Sequence, residues 1–142
     1  MGSRILRIFV AAMAAGLSLA SCSEPRSNEQ FVRADQASDG VYVFTVPLTD
    51  SLAVYDFSFY SRTGVGTIHS LEMRVQWLAP SGDSMAETVY MSEVGPKGNS
   101  EIYRSGVVPA EYGDWKISVR PVGVDSDFTG LGLITERRDG TR

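Results

Sequence analysis

The chain has 142 residues, of which 43% are hydrophobic and 21% charged, a composition that fits one folded domain and excludes both a two-domain chain and a disordered one. Its 17 acidic residues outnumber 13 basic ones; loss of Arg4 and Arg7 with a leader would leave 11 basic residues and a net charge of −6, which argues against a nucleic-acid partner. A single cysteine, Cys22, excludes an intrachain disulfide and a zinc site of four cysteines, or of two cysteines and two histidines. A single histidine, His69, excludes any metal site that needs two imidazoles.

Arg4 and Arg7 precede an uncharged apolar stretch from Ile8 to Ala20. Its thirteen residues suit the apolar region of a signal peptide and fall short of the ~20 that span a bilayer as a helix. Leu19-Ala20-Ser21-Cys22 then resembles the bacterial lipoprotein box, in which small residues admit a peptidase to the backbone and the thiol accepts a diacylglycerol. The resemblance implies a signal peptide over residues 1–21, cleavage before Cys22 and a lipidated amino terminus. At ~0.8 kcal/mol per buried methylene, two or three acyl chains make an essentially permanent membrane anchor. An ordinary secretory signal with an incidental cysteine is the alternative. Met1-Gly2 does not open a myristoylation site, because Leu6 stands where Ser or Thr is required. Ser23 in place of an aspartate points to the outer membrane, and the lone following acid, Glu24, points to a periplasmic-facing protein rather than a surface-displayed one.

Residues 22–39 are polar and without period, which predicts a lipidated flexible tether; Phe31-Val32 is its one hint of a strand. From Gly40 the period is two. Val41 to Val46 is a β-branched and aromatic run closed by Pro47. Ala53 to Tyr60 places Tyr55, Phe57 and Phe59 on one face, and Ser70 to Leu78 sets Leu71, Met73, Val75 and Trp77 against Glu72, Arg74 and Gln76. The turn cluster Ala79 to Asp83 and a strand from Met85 to Met91 form a hairpin. A second turn, Gly95 to Asn99, leads to a short segment, Glu101 to Ser105. Trp115, Ile117 and Val119 then share a face, Phe128 to Thr135 is the last strand, and residues 137–142 form a charged tail. Six to eight one-sided strands without helical period predict an all-β domain over residues 40–136: an antiparallel two-sheet β-sandwich, immunoglobulin-like or jelly-roll-like.

Little in this pattern promises catalysis. His69 lies beside a turn-rich stretch and no Gly-x-Ser-x-Gly elbow occurs, so a surface histidine, no enzymatic activity and no cofactor are expected. Gly64-Val65-Gly66 begins like a dinucleotide loop, but His69 replaces the third glycine and no helix follows. Asp125, Asp127 and Glu136 fall at the first, third and twelfth places of a calcium loop, with Gly130 at the sixth. Thr129 at the fifth place and the strand-like Leu131 to Thr135 make an acidic turn the expected reading. Exposed rings stack on sugars, which makes Tyr103 and Tyr112, together with Tyr90, the candidate glycan contacts; core or hydrogen-bonded tyrosine is the expected reading, and Trp77 and Trp115 are expected in the core.

Taken in order, several of these residues resemble the GldH-type gliding-motility lipoproteins of Bacteroidetes. The likeness runs from the lipobox cysteine through Val43-Phe44-Thr45-Val46-Pro47 to Tyr55–Tyr60 followed by Arg62. It continues in Leu71-x-Met73-x-Val75 leading to Pro80-x-Gly82-Asp83, then Ile102-Tyr103, Gly113-Asp114-Trp115-x-Ile117 and Gly130–Leu133. It departs at Val65 to Ile68, where that family has a Tyr-Pro pair. The resemblance implies a non-enzymatic, membrane-anchored component of the gliding and type IX secretion machinery that contacts other envelope proteins, and it supplies no catalytic residue. A carbohydrate-binding surface lipoprotein is the alternative.

Overall fold

In the computed structural model, residues 26–140 are described; the leader and Cys22 lie outside them. Eight strands follow one another: β1 (Ser27–Arg33), β2 (Tyr42–Leu48), β3 (Ala53–Thr63), β4 (Leu71–Leu78), β5 (Ser84–Met91), β6 (Asn99–Val107), β7 (Gly113–Pro121) and β8 (Phe128–Asp139). They form two antiparallel sheets, β1-β8-β3-β6 and β2-β7-β4-β5. That strand order is the jelly roll, which decides between the two sandwich topologies expected. Among the described residues no helix is long and apolar enough to cross a membrane.

The alternation seen in the chain becomes the core. Phe44, Val46 and Leu48 of β2, Tyr55, Phe57 and Phe59 of β3, Leu71, Met73, Val75 and Trp77 of β4, Ile117 and Val119 of β7, and Leu131 and Leu133 of β8 are all buried between the sheets. Phe57 meets Trp77 across that layer edge to face, with ring centroids 5.1 Å apart, the arrangement that the ring quadrupoles favour. Pro47, expected to end its strand, lies inside β2; β2 is a sheet edge, where a missing N–H breaks no ladder.

Both ends of the domain differ from those the periodicity predicts. The stretch read as a tether holds β1 and a 3-10 turn, Ala34–Gln36. All seven β1 residues pair with β8, from Ser27 opposite Glu136 to Arg33 opposite Gly130. As an edge strand with both faces partly in water, β1 carries polar residues and no strong alternation, so only its partner reveals it. The expected charged tail is likewise strand as far as Asp139, which pairs with Ala53.

One pair of glycines explains how β1 docks. Phe31 lies over Gly130 and Gly132, where a Cβ would stand 2.7 Å and 3.2 Å from its ring. At Gly130, φ is +154° and a Cβ would also stand 2.5 Å from the carbonyl oxygen of Val32, so only glycine fits. An aromatic side chain from an edge strand thus covers a bare glycine track on its neighbour.

The register also sorts the loops into two ends. Residues 49–52, 79–83 and 108–112, together with the start of β1 and the end of β8, lie at one end, called here the near end. Residues 34–41, 64–70, 92–98 and 122–127 lie at the far end.

Candidate binding surfaces

The terminal strands β5 and β6 belong to different sheets but lie on the same side of the sandwich. Side chains clip them together. Glu87 on β5 accepts hydrogen bonds from the Tyr103 hydroxyl and from Arg104 Nη2, the latter at 2.6 Å. The same tyrosine oxygen accepts from Trp77 Nε1 at 2.9 Å, and its ring packs on Phe59 with centroids 4.9 Å apart. Nearer the far end, the backbone N–H and hydroxyl of Ser92 and the Asn99 amide all donate to Glu101. Above this clip runs a groove of about 340 Å³ whose walls include Met73, Val89, Tyr90 and Ile102. Ile102 is 76% exposed and Tyr90 63%.

The clip has an electrostatic signature. Burial pushes the Glu87 carboxyl up, but the hydrogen bonds from Tyr103 and Arg104 outweigh it and hold the group below the usual glutamate range. The Ser92 hydroxyl, with the Ser92 N–H and Asn99, holds Glu101 low in the same way. Both carboxyls therefore ionise more readily folded than unfolded. The stability they contribute is complete above the ordinary value of about 4.3 and is lost as the pH falls through their lower folded values. Urea midpoints followed from pH 7 to pH 3 are expected to fall mainly below about pH 4.3, with a shallower fall in Glu87→Gln.

The structure separates the residues proposed as sites. Tyr103 is half-buried, and its hydroxyl is committed to Glu87 and Trp77. Tyr112 lies in the near-end loop, whereas Tyr90 sits toward the far end of β5 opposite Glu72, so these rings share no platform. Trp77 is buried as expected, but Trp115 is only half-buried; it packs edge-on against Trp77 at 5.9 Å and donates from Nε1 to the Glu111 carbonyl at 2.9 Å.

The calcium loop does not form. Asp127 spends its two carboxylate oxygens on the N–H groups of Val65 (2.9 Å) and Gly66 (2.8 Å), and Glu136 stands in the β8 ladder between Ser27 and Asp56. Asp125 accepts the Asp127 N–H at 2.9 Å, an ordinary acidic turn. The glycines of Gly64-Val65-Gly66 acquire a reason here, since a Cβ at Gly64 would stand 2.7 Å from an Asp127 oxygen. Among the described residues no three His, Cys, Asp or Glu side chains gather to hold a metal ion. His69 is exposed in the loop between β3 and β4, with no hydroxyl or carboxylate bonded to it among the described residues.

Two further hollows depend on register, which the sequence does not display. One, of about 300 Å³, opens at the near end between Trp77, Met85, Val108, Pro109 and Trp115. The other, of about 410 Å³, lies on the outward face of the second sheet. There the register sets Arg74 directly opposite Arg120, a repulsive cross-strand pair, beside Gln76, Thr88 and Ser118. Arg120 donates to the Asp39 carbonyl at 2.9 Å.

Fold and surfaces together define an eight-stranded jelly-roll β-sandwich. No protein-family model and no curated protein matches this chain. Among solved structures it is similar to tripeptidyl peptidase 2, with 9% identity and a TM-score of 0.44 over 82% of this chain and 10% of that one. It is also similar to a chain of infectious bursal disease virus Gx strain, with 12% identity and a TM-score of 0.39 over 84% of this chain and 34% of that one. A third similarity is to TmCBM61, solved in complex with β-1,4-galactotriose, with 16% identity and a TM-score of 0.35 over 80% of this chain and 70% of that one. The chain thus spans a tenth of the first of these proteins and about a third of the second. The likeness is one of fold alone.

Proposed function

We propose that this protein is a non-enzymatic, lipid-anchored docking protein of a bacterial cell envelope, which presents the β5–β6 side of its sandwich to a partner polypeptide. The observation that carries the reading is the coincidence, on one side, of two free strand edges with the exposed Tyr90 and Ile102 over a groove. A free edge offers unpaired N–H and C=O groups to an added strand, and the exposed side chains supply the apolar contact. The Glu87–Tyr103–Arg104 clip holds the two edges in one relation beforehand, which lowers the ordering cost of binding. The lipobox at Cys22 supports a lipid anchor, and Ser23 and the lone acid Glu24 support the outer membrane, facing the periplasm, as its place. The resemblance to GldH-type lipoproteins supports a gliding or type IX secretion complex as the setting.

A photo-crosslinking residue placed at 102, and as a control at 43 on the opposite side, tests this in the native envelope. A discrete polypeptide adduct is expected at 102 and not at 43, containing a motor or secretion component, and reduced at least fivefold by Tyr90→Lys. Equal adducts at both positions, or none at 102, would overturn the reading. The second reading, carbohydrate binding, draws on the hollow that holds Arg74, Gln76, Ser118 and Arg120. It predicts no adduct at 102 and binding of acidic oligosaccharides that Arg74→Ala abolishes.

A further inference from the structure

We infer that the near end of the sandwich rests on the lipid bilayer, with Leu52, Met85, Val108 and Tyr112 set into its interfacial region. The inference rests on the reading that Cys22 is lipidated, and two independent observations point to it.

The first is reach. A tether of residues 22–39 would let the domain wander far from the membrane, but β1 begins at Ser27. Five residue steps separate Cys22 from that strand, and a chain spans at most ~3.6 Å per residue, so the acylated cysteine lies within about 18 Å of Ser27. The carbonyl of Arg26 still accepts the Arg137 N–H at 2.7 Å, two residues from the final β3–β8 pair, Ala53 with Asp139. The chain therefore enters the domain beside its near end. Strands of seven to twelve residues at ~3.3 Å each put the far end roughly 25–40 Å further off.

The second is where the unpartnered apolar surface lies. Leu52 in the loop between β2 and β3 is 75% exposed, and Met85, Val108 and Tyr112 are each about half exposed. They come from two connections and the start of β5, which the topology brings to one end, and Met85 and Val108 line the apolar hollow backed by Trp77 and Trp115. The far end bears two comparable residues, Val65 in a loop and Tyr90 near the end of β5. Tyr112 and the half-buried Trp115 have the amphipathic rings suited to a membrane–water boundary. Charge does not drive the contact: Asp83, Glu111 and Asp114 share this end with Lys116, and the near-end Arg137 is paired with Asp50 at 2.7 Å. The surface fits a zwitterionic headgroup layer and apolar insertion, with little dependence on salt.

The acylated protein, extracted from membranes and reconstituted in phosphatidylcholine vesicles, gives a direct test. Its thioether-linked Cys22 leaves a Val108→Cys or Val65→Cys thiol as the only one open to a fluorophore. Flotation of the vesicles reads the anchor, and quenching by brominated lipid reads the contact. The label at 108 is expected to be quenched at least threefold more than the label at 65, unchanged between low and high salt. The two native tryptophans, which need no substitution, should also be quenched, and less so in Leu52→Asp. Flotation with equal quenching at 108 and 65 would overturn the bilayer contact while leaving the anchor intact. Failure to float would overturn the lipidation reading and the contact with it.

Discussion

A chain shortened to begin at Gly40 is expected to lose a large share of its folding free energy, while one that begins at Arg26 retains it. The shortening strips β1 from β8 along seven paired residues and uncovers the glycine track at Gly130 and Gly132 that Phe31 covers. It also removes Val32, which packs against the core, and the tilted contact of Phe31 with Tyr60 at 6.1 Å. Partial burial of two apolar side chains and a row of backbone hydrogen bonds together amount to something on the order of 5 kcal/mol. A domain of this size has about 5–15 kcal/mol in all. The exposed β8 would also become a template for aggregation. Urea denaturation followed by tryptophan fluorescence compares the two chains. Equal midpoints would mean that β1 is a passenger on the sandwich.

Phe57→Ala is expected to be the most damaging single substitution in the core, costing about 3–5 kcal/mol and lowering Tm by roughly 10–25 °C. Phe57 is fully buried on β3, a strand paired on both sides, by β8 and β6, and its ring is the cross-sheet partner of Trp77. Neighbours held by two ladders cannot collapse into the space it leaves, so the cavity term is kept nearly whole. Val43→Ala, on the outward face of β2, is expected to change stability by less than about 0.5 kcal/mol. Calorimetry of both variants checks the contrast, and similar losses in the two would contradict the assignment of the inward face.

Legibility in the sequence followed burial. Strands with one face in the core, such as β4 with Leu71, Met73, Val75 and Trp77 inward, announce themselves by alternation, because the pleat turns successive side chains to opposite sides. β1 does not, since an edge strand half in water has no apolar face to repeat. The candidate sites show the same divide. A hydrogen-bonded Tyr103 is expected from the chain, but not its partners, Glu87 and Trp77, sixteen and twenty-six residues away. The acidic turn at Asp125 and Asp127 is legible, but the two N–H groups that Asp127 accepts come from a loop more than sixty residues earlier. Neither partner is visible until the strands are in register.

By itself, then, the chain determined its all-β class and the inward faces of its core strands. Those are properties of composition and of local period, and they need no knowledge of what lies alongside. Tertiary structure alone decided the jelly-roll order, the pairing of β1 with β8, the clip between β5 and β6 and the gathering of Leu52, Met85, Val108 and Tyr112 at one end. Each of these is a meeting of residues far apart along the backbone. It is set by which sheet edges and loops the packed core brings together, and no local pattern encodes that.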